Sequence, residues 1–134
     1  MRHQTKKHTL GKAQDQRKAL LRSLATELFT HGEIKTTMAR AKALQPYAEN
    51  VITLAKKGDL NSRRLAGRYI FDKEIGQLID TATGELFDAP QEGKKLAKQT
   101  VLRKLFSIIG VKYSSRKGGY TRIYRLPPRR GDAS

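Results

Sequence analysis

Apolar residues along this chain recur at three- and four-residue steps in four windows, the spacing of amphipathic helices. In the first window Leu20, Leu21, Leu24, Ala25, Leu28 and Phe29 form one stripe. Asp15 is placed to cap that helix and Gly32 to end it, which predicts a helix over 15–30. Its opposite face carries Arg17, Lys18 and Arg22. The second stripe, Ala41, Leu44, Ala48, Val51 or Ile52, and Ala55, predicts a helix over 38–57 between a capping Thr37 and a stop at Gly58. Pro46 lies inside it without an N–H to give, so a kink or break near Leu44–Pro46 is expected. A third helix, 61–74, turns Leu65, Ala66, Tyr69 and Ile70 inward and Arg63, Arg64 and Arg68 elsewhere. A fourth, 94–109, buries Leu102, Leu105, Phe106 and Ile109 and stops at Gly110.

Period-two alternation is confined to short stretches. The β-branched Ile34, Thr36 and Thr37 make 33–37 a candidate strand, and Gly118-Gly119 turns the chain into another, 120–126, closed by Pro127-Pro128. Between the third and fourth helices, 80–88 has turn chemistry at Gly84 and suits a small hairpin. The expected fold class is α+β: about four helices packed on a small sheet made by the strands near 34 and 123. Residues 1–14 have no hydrophobic period and should be extended unless bound. The organisation expected is one domain, 1–134. A basic N-terminal arm (1–14) precedes a body (15–126), and a basic tail (127–134) follows it.

Charge changes this picture most. The 134 residues carry a net +16, with 37% apolar residues and no cysteine. Such an excess repels itself in the compact state, so an anionic partner is expected, nucleic acid before an anionic membrane. The longest largely apolar stretch, Phe106 to Val111, is far too short to span a membrane. Residues 1–22 hold seven basic side chains and one acid, residues 112–134 the same, and the 89 residues between them fourteen against ten. The excess therefore sits on the ends. Residues 76–93 invert the sign, with Asp80, Glu85, Asp88 and Glu92 and no Lys or Arg, so this part should face away from phosphate. No signal-peptide pattern is visible. The first fourteen residues share a lack of acids with transit peptides but not their amphipathicity.

Catalytic chemistry finds little to stand on. His3 and His8 are five apart in the arm, with no acid or thiolate to complete a metal shell. His31 beside the first helix stop suits a helix-dipole partner. Gly11-Lys12 lacks the upstream glycine and the following Ser/Thr of a phosphate-cradling loop. Neither a cofactor nor a small-molecule substrate is expected. Phosphate binding is better supported, because Arg offers a planar fork of donors and Lys a mobile point charge. Alternation in 118–126 puts Tyr120, Arg122, Tyr124 and Leu126 on one face and Thr121, Ile123 and Arg125 on the other. Arg beside Tyr can pair with phosphate and stack on bases. The competing reading has Tyr120, Tyr124 and Leu126 facing the core.

Three stretches also carry a resemblance: "MRH" with "LGK" at the start, 19–64 from "ALLRSLATELFTHGEIKTT" to "GDLNSRR", and "RKGGYTRIYRLPPRRGDAS" at the end. They resemble the bacterial large-subunit ribosomal protein family L-seventeen over nearly the whole chain. The resemblance implies an α+β, non-enzymatic cytoplasmic protein with extended basic ends. It implies binding to large-subunit rRNA on the solvent side near the nascent-chain exit, beside other ribosomal proteins and away from membranes. Together with the basic arms it makes Arg2, His3, Lys6, Lys7, Lys12, Arg17, Lys18 and Arg22 the expected RNA contacts. Thr36, Thr37, Arg40, Lys42, Arg63 and Arg64 follow from the body. Arg116, Lys117, Tyr120, Arg122, Arg125, Arg129 and Arg130 follow from the closing stretch. Arg130-Gly131-Asp132 then belongs to the family's terminal block, and its match to an adhesion tripeptide is chance. Lys12, and Gln45 before Pro46, stand where the family usually has Arg, and residues 77–97 look like an insertion. The main alternative is a free RNA-binding or RNA-chaperone module with the same charge logic.

Overall fold

The computed structural model describes residues 7–133. Its longest elements are the helices α1 (Gln14–His31), α2 (Met38–Lys57) and α3 (Leu60–Tyr69). α1 and α2 each end on a glycine in the left-handed region, Gly32 at φ 82° and Gly58 at φ 71°. Their N–H groups return to the carbonyls of Leu28 and Leu54, which a side chain bearing Cβ would resist. The Thr37 hydroxyl caps α2 by accepting the N–H of Arg40 at 3.4 Å, as its position in the sequence suggests. Asp15 is not the cap of α1. Ala13 holds that position without a side-chain bond, and Asp15 lies in the first turn, where its charge still favours the helix dipole. α2 runs through Pro46 without a break. α3 is shorter than its stripe predicts: Ile70 turns extended and is fully buried, which ends the helix five residues early.

The fourth helical stretch begins later and ends later than expected. α4 (Val101–Lys104) passes through a π-helical turn (Leu105–Ile109) into α5 (Gly110–Lys112). Gly110 is therefore not a stop; its N–H bonds to the carbonyl of Leu105, five residues back. In a π turn residues five apart come to the same side, so Leu105 and Gly110 are both buried. α2 is the central element, packing against α1, α3, the π turn and α5. Phe29, Leu44, Val51, Ile52, Ile70, Val101 and Leu105 form the core between them.

The fold is α+β, but its sheet is not the one expected. Residues 33–37 and 120–126 adopt no regular secondary structure and join no ladder. The three strands are β1 (Glu74–Asp80), β2 (Leu86–Phe87) and β3 (Leu96–Thr100), antiparallel in the order β2-β1-β3. They span the segment that reads as an insertion and extend three residues beyond it on each side, and β3 takes residues assigned above to the fourth helix. The hairpin at Gly84 is present, pairing Leu78 with Phe87 and Ile79 with Leu86. Its turn is built by Asp80, whose carbonyl accepts the N–H of Gly84 and whose carboxylate accepts that of Ala82 at 2.8 Å. Hydrogen bonding from the Ala82 backbone holds the Asp80 carboxyl below its usual range. The N–H of Val101 donates to the Lys73 carbonyl and that of Leu102 to the Asp72 carboxylate, which ties the base of the sheet, where β1 begins and β3 ends, to the start of α4.

Candidate nucleic-acid interface

The closing stretch is held along α2 by a row of polar contacts. Gln45, Glu49 and Lys56 are four and then seven residues apart, so they lie along one stripe of the helix. The Lys56 ammonium donates to the carbonyl of Arg116 and, at 2.8 Å, to the hydroxyl of Tyr120. Glu49 Oε1 accepts both the N–H and the hydroxyl of Thr121, and Gln45 Nε2 reaches the Thr121 carbonyl at 3.4 Å. The chain therefore runs antiparallel to α2. Tyr113 lies 5.5 Å from Tyr120, ring centre to ring centre, and both rings pack on the core.

This docking breaks the period-two reading of the tail. Tyr120 faces inward, whereas Tyr124 is 75% exposed and Leu126 is 64% exposed. They share no inward face; the core-facing reading holds for Tyr120 and fails for Tyr124 and Leu126. Arg122, Arg125, Arg129 and Arg130 are all exposed. Arg129 forms an ion pair with Asp132 at 2.7 Å, so the acid of the Arg-Gly-Asp tripeptide is occupied within the tail. Arg116 and Lys117 are exposed at the turn that leads in.

α1 and α3 present a second basic surface. The residue four positions after Lys18 is Arg22, and on α3 Leu65, Arg68 and Tyr69 have the same helical spacing. With Tyr47 of α2 and Phe71 they line a cleft of about 570 Å³. Arg22 does not belong to the solvent face assigned to it in the sequence. It donates to the carbonyls of Gly67 and Ile70 at 3.0 and 3.1 Å, and its guanidinium lies 4.3 Å above the Phe71 ring. It thus satisfies carbonyls that the end of α3 leaves free. The Tyr47 hydroxyl donates to the Tyr69 carbonyl at 2.6 Å, and burial pushes the Tyr47 phenol up.

The remaining expected contacts are dispersed. Lys7 and Lys12 are exposed, and Arg17 donates to the Lys12 carbonyl at 3.3 Å, which joins the described part of the arm to α1. Thr36 and Lys42 are exposed, Arg40 is half-buried, and Thr37 is engaged as a cap. Arg64 is exposed, and Arg63 lies 5.7 Å over the Phe106 ring. Arg2, His3 and Lys6 lie outside the described residues. Arg68 and Phe71 were not expected here. The clue to Arg68 is its shared spacing with Leu65 and Tyr69; Phe71 lies beyond the helix and leaves no periodic clue.

The acidic segment is arranged differently. Glu85 pairs with Lys94 at 3.4 Å, Glu74 with Lys98 at 3.2 Å, and Gln77 bonds Asp88. Residues 74–100 hold five acids and three lysines, so the sheet is slightly negative in a strongly positive protein. Among the described residues no group of three or more His, Cys, Asp or Glu side chains is placed to hold a metal ion, and no helix is long and apolar enough to cross a membrane.

Comparison with known proteins gives one consistent result. The family model described as Ribosomal protein L17 matches residues 20–134. A large ribosomal subunit protein bL17 of Lactiplantibacillus plantarum is 45% identical over 125 residues, which cover 93% of this chain and 89% of the relative. Its counterparts in Oenococcus oeni and Staphylococcus carnosus are each 46% identical over the same shares.

Proposed function

Because this chain belongs to the ribosomal protein L17 family, whose members are structural proteins of the large ribosomal subunit, we propose that it binds large-subunit rRNA through its basic ends and the exposed cations of α1, α2 and α3. The observation that carries this reading is the tail on α2. One residue row, Gln45, Glu49 and Lys56, anchors residues 116–121, so the exposed Arg122, Tyr124 and Arg125 leave from a fixed point. Arginine forks beside an unburied tyrosine suit phosphates and unstacked bases together. Each phosphate neutralised releases counterions, so affinity comes chiefly from such contacts. The site on the solvent side near the nascent-chain exit, among other large-subunit proteins, is the position the family resemblance implies.

Sedimentation through a salt series tests the reading. The protein should travel with the large subunit and resist moderate salt washing. Replacing Arg122, Arg125 and Arg130 by Ala should flatten the slope of log affinity against log salt by roughly 0.7–0.9 for each phosphate no longer neutralised. Lysine at the same positions should rescue binding only in part, since the charge returns without the fork. A protein that stays free of the particle at low salt is an RNA-chaperone module instead.

A further inference from the structure

We propose that the cleft between α1, α2 and α3 is a nucleotide site, taking one everted base of single-stranded rRNA against Tyr69 and Phe71 while Lys18 and Arg68 hold its phosphates. The inference deepens the rRNA-binding reading and rests on it. Three features of the cleft select this ligand class. Its lining contains Lys18, Arg22 and Arg68 and no carboxylate, so the occupant is anionic and rich in acceptors. Its walls are aromatic and aliphatic, Tyr47, Leu65, Tyr69 and Phe71, so the occupant also has a flat, weakly polar part. Its volume of about 570 Å³ lies within the range of small-ligand pockets, roughly 300–1,000 Å³. A nucleotide joins these properties in one unit, and bases stack on such walls whatever their sequence.

The cleft is also built before anything enters it. The N–H of Phe71 donates to the Thr26 hydroxyl at 2.9 Å, and that hydroxyl donates to the carbonyl of Arg22 at 2.7 Å. The Phe71 ring lies under the Arg22 guanidinium yet is still 39% exposed. Tyr69 is fixed edge-on to Tyr47 at 5.4 Å between ring centres. Arg22 neutralises the carbonyl end of α3, which would otherwise repel an anion arriving at this cleft. Lys18 and Arg68, both exposed, make no hydrogen bond or ion pair with any other described residue. The structure spends Arg22 on shaping the cleft and leaves the other two cations for a ligand.

Ultraviolet cross-linking of purified large subunits that contain this chain tests the site, read by mass spectrometry after nuclease and trypsin digestion. A nucleotide adduct is expected on the tryptic peptide 69–73, which holds both Tyr69 and Phe71. The double variant Lys18→Gln, Arg68→Gln loses the tryptic cut after residue 68, so its adduct is read on the longer peptide 65–73. It should enter the particle through its tail with somewhat weaker affinity, lose the adduct on that peptide at least tenfold, and raise 2′-hydroxyl acylation at one or two rRNA nucleotides. If the variant changes neither the adduct nor the acylation profile, the cleft takes no nucleotide and the proposal fails. Adducts on the tail alone leave rRNA binding standing and remove this site. A zero-length carbodiimide cross-link from Lys18 to a neighbouring protein's carboxylate, in place of the RNA adduct, identifies an acidic peptide as occupant and overturns the proposal. A protein that neither cross-links to RNA nor sediments with the particle removes the rRNA reading itself.

Discussion

Thr121 gives both its backbone N–H and its hydroxyl to the same carboxylate oxygen of Glu49, at 3.3 and 3.0 Å. Two donors on one anion make a joint, and it sits where the half-buried Tyr120 gives way to the exposed arginines. Glu49→Ala should therefore release the tail without unfolding the body. Nitrogen-15 relaxation of residues 122–126 should show order falling toward that of a free terminus, and rRNA affinity should drop about three- to tenfold, roughly 1 kcal/mol. Glu49→Gln keeps one acceptor and should lie between. Unchanged tail order in Glu49→Ala would mean that Lys56 and Tyr120 hold the tail unaided.

The backbone of Gly110 passes so close to α2 that a Cβ there would lie 2.8 Å from the carbonyl oxygen of Ala55 and 3.0 Å from its carbon. Backbone atoms cannot yield as a flexible side chain can. Alanine at 110 would gain about 1 kcal/mol of helix propensity but cost about 1–3 kcal/mol in overpacking, so a net loss is expected. Gly67, inside α3, is the control: a Cβ there meets nothing within 4 Å, and Gly67→Ala should stabilise by about 0.5–1 kcal/mol. Thermal unfolding of the two variants should move in opposite directions.

Glu27 receives the Lys73 ammonium on one oxygen and the His31 ring at 3.0 Å on the other. The Lys73 hydrogen bond, against a smaller opposing effect of burial, holds its carboxyl below the usual value of 4.5. A carboxyl depressed by folding adds stability that is fully present above that value and is lost as pH falls through the folded one. Both partners are largely exposed, so the contribution should be under about 1 kcal/mol and should shrink in high salt. Chemical unfolding should find Glu27→Gln less stable than the parent at pH 7, with a smaller difference at pH 3. A difference of equal size at both pH values would make the loss one of packing.

The helices α1 and α2 were legible because local chemistry and tertiary packing agree there: one apolar stripe each, with a glycine past the end that adopts the left-handed conformation. The sheet was not. Thr36, Thr37, Thr121 and Ile123 have the side chains of strand residues, but Thr37 is used as a cap and Thr121 is bound to a helix side chain, so neither stretch has a ladder to join. Conversely Leu96, Ala97, Lys98 and Gln99 are good helix formers, placed in β3 only because β1 offers them a partner. The basic tail was visible as a charge excess. Which tyrosine it exposes was not, because that depends on the anchor at Thr121. Arg22 reads as one of three cations on a polar face, yet the free carbonyls of α3 turn it inward.

The sheet should be removable, and its removal separates two kinds of contact. Glu74 and Thr100 are antiparallel partners at the base of β1 and β3, so a two-residue Asn-Gly turn replacing residues 76–98 can close the gap. Ile79, the sheet's buried apolar residue, lies outside the main core cluster, and Val101 stays bonded to Lys73. The helical body should therefore keep its circular dichroism and a cooperative unfolding transition. The excised segment carries a net negative charge, so rRNA affinity should stay within about fivefold of the parent, an allowance of roughly 1 kcal/mol, and any change should be an increase. Incorporation into assembled subunits should respond differently. If the sheet meets a basic neighbouring protein, the shortened chain should bind isolated rRNA normally yet be displaced by the parent when both compete for the particle. A tenfold loss of affinity for naked rRNA, with the helices intact, would place the sheet against RNA despite its charge.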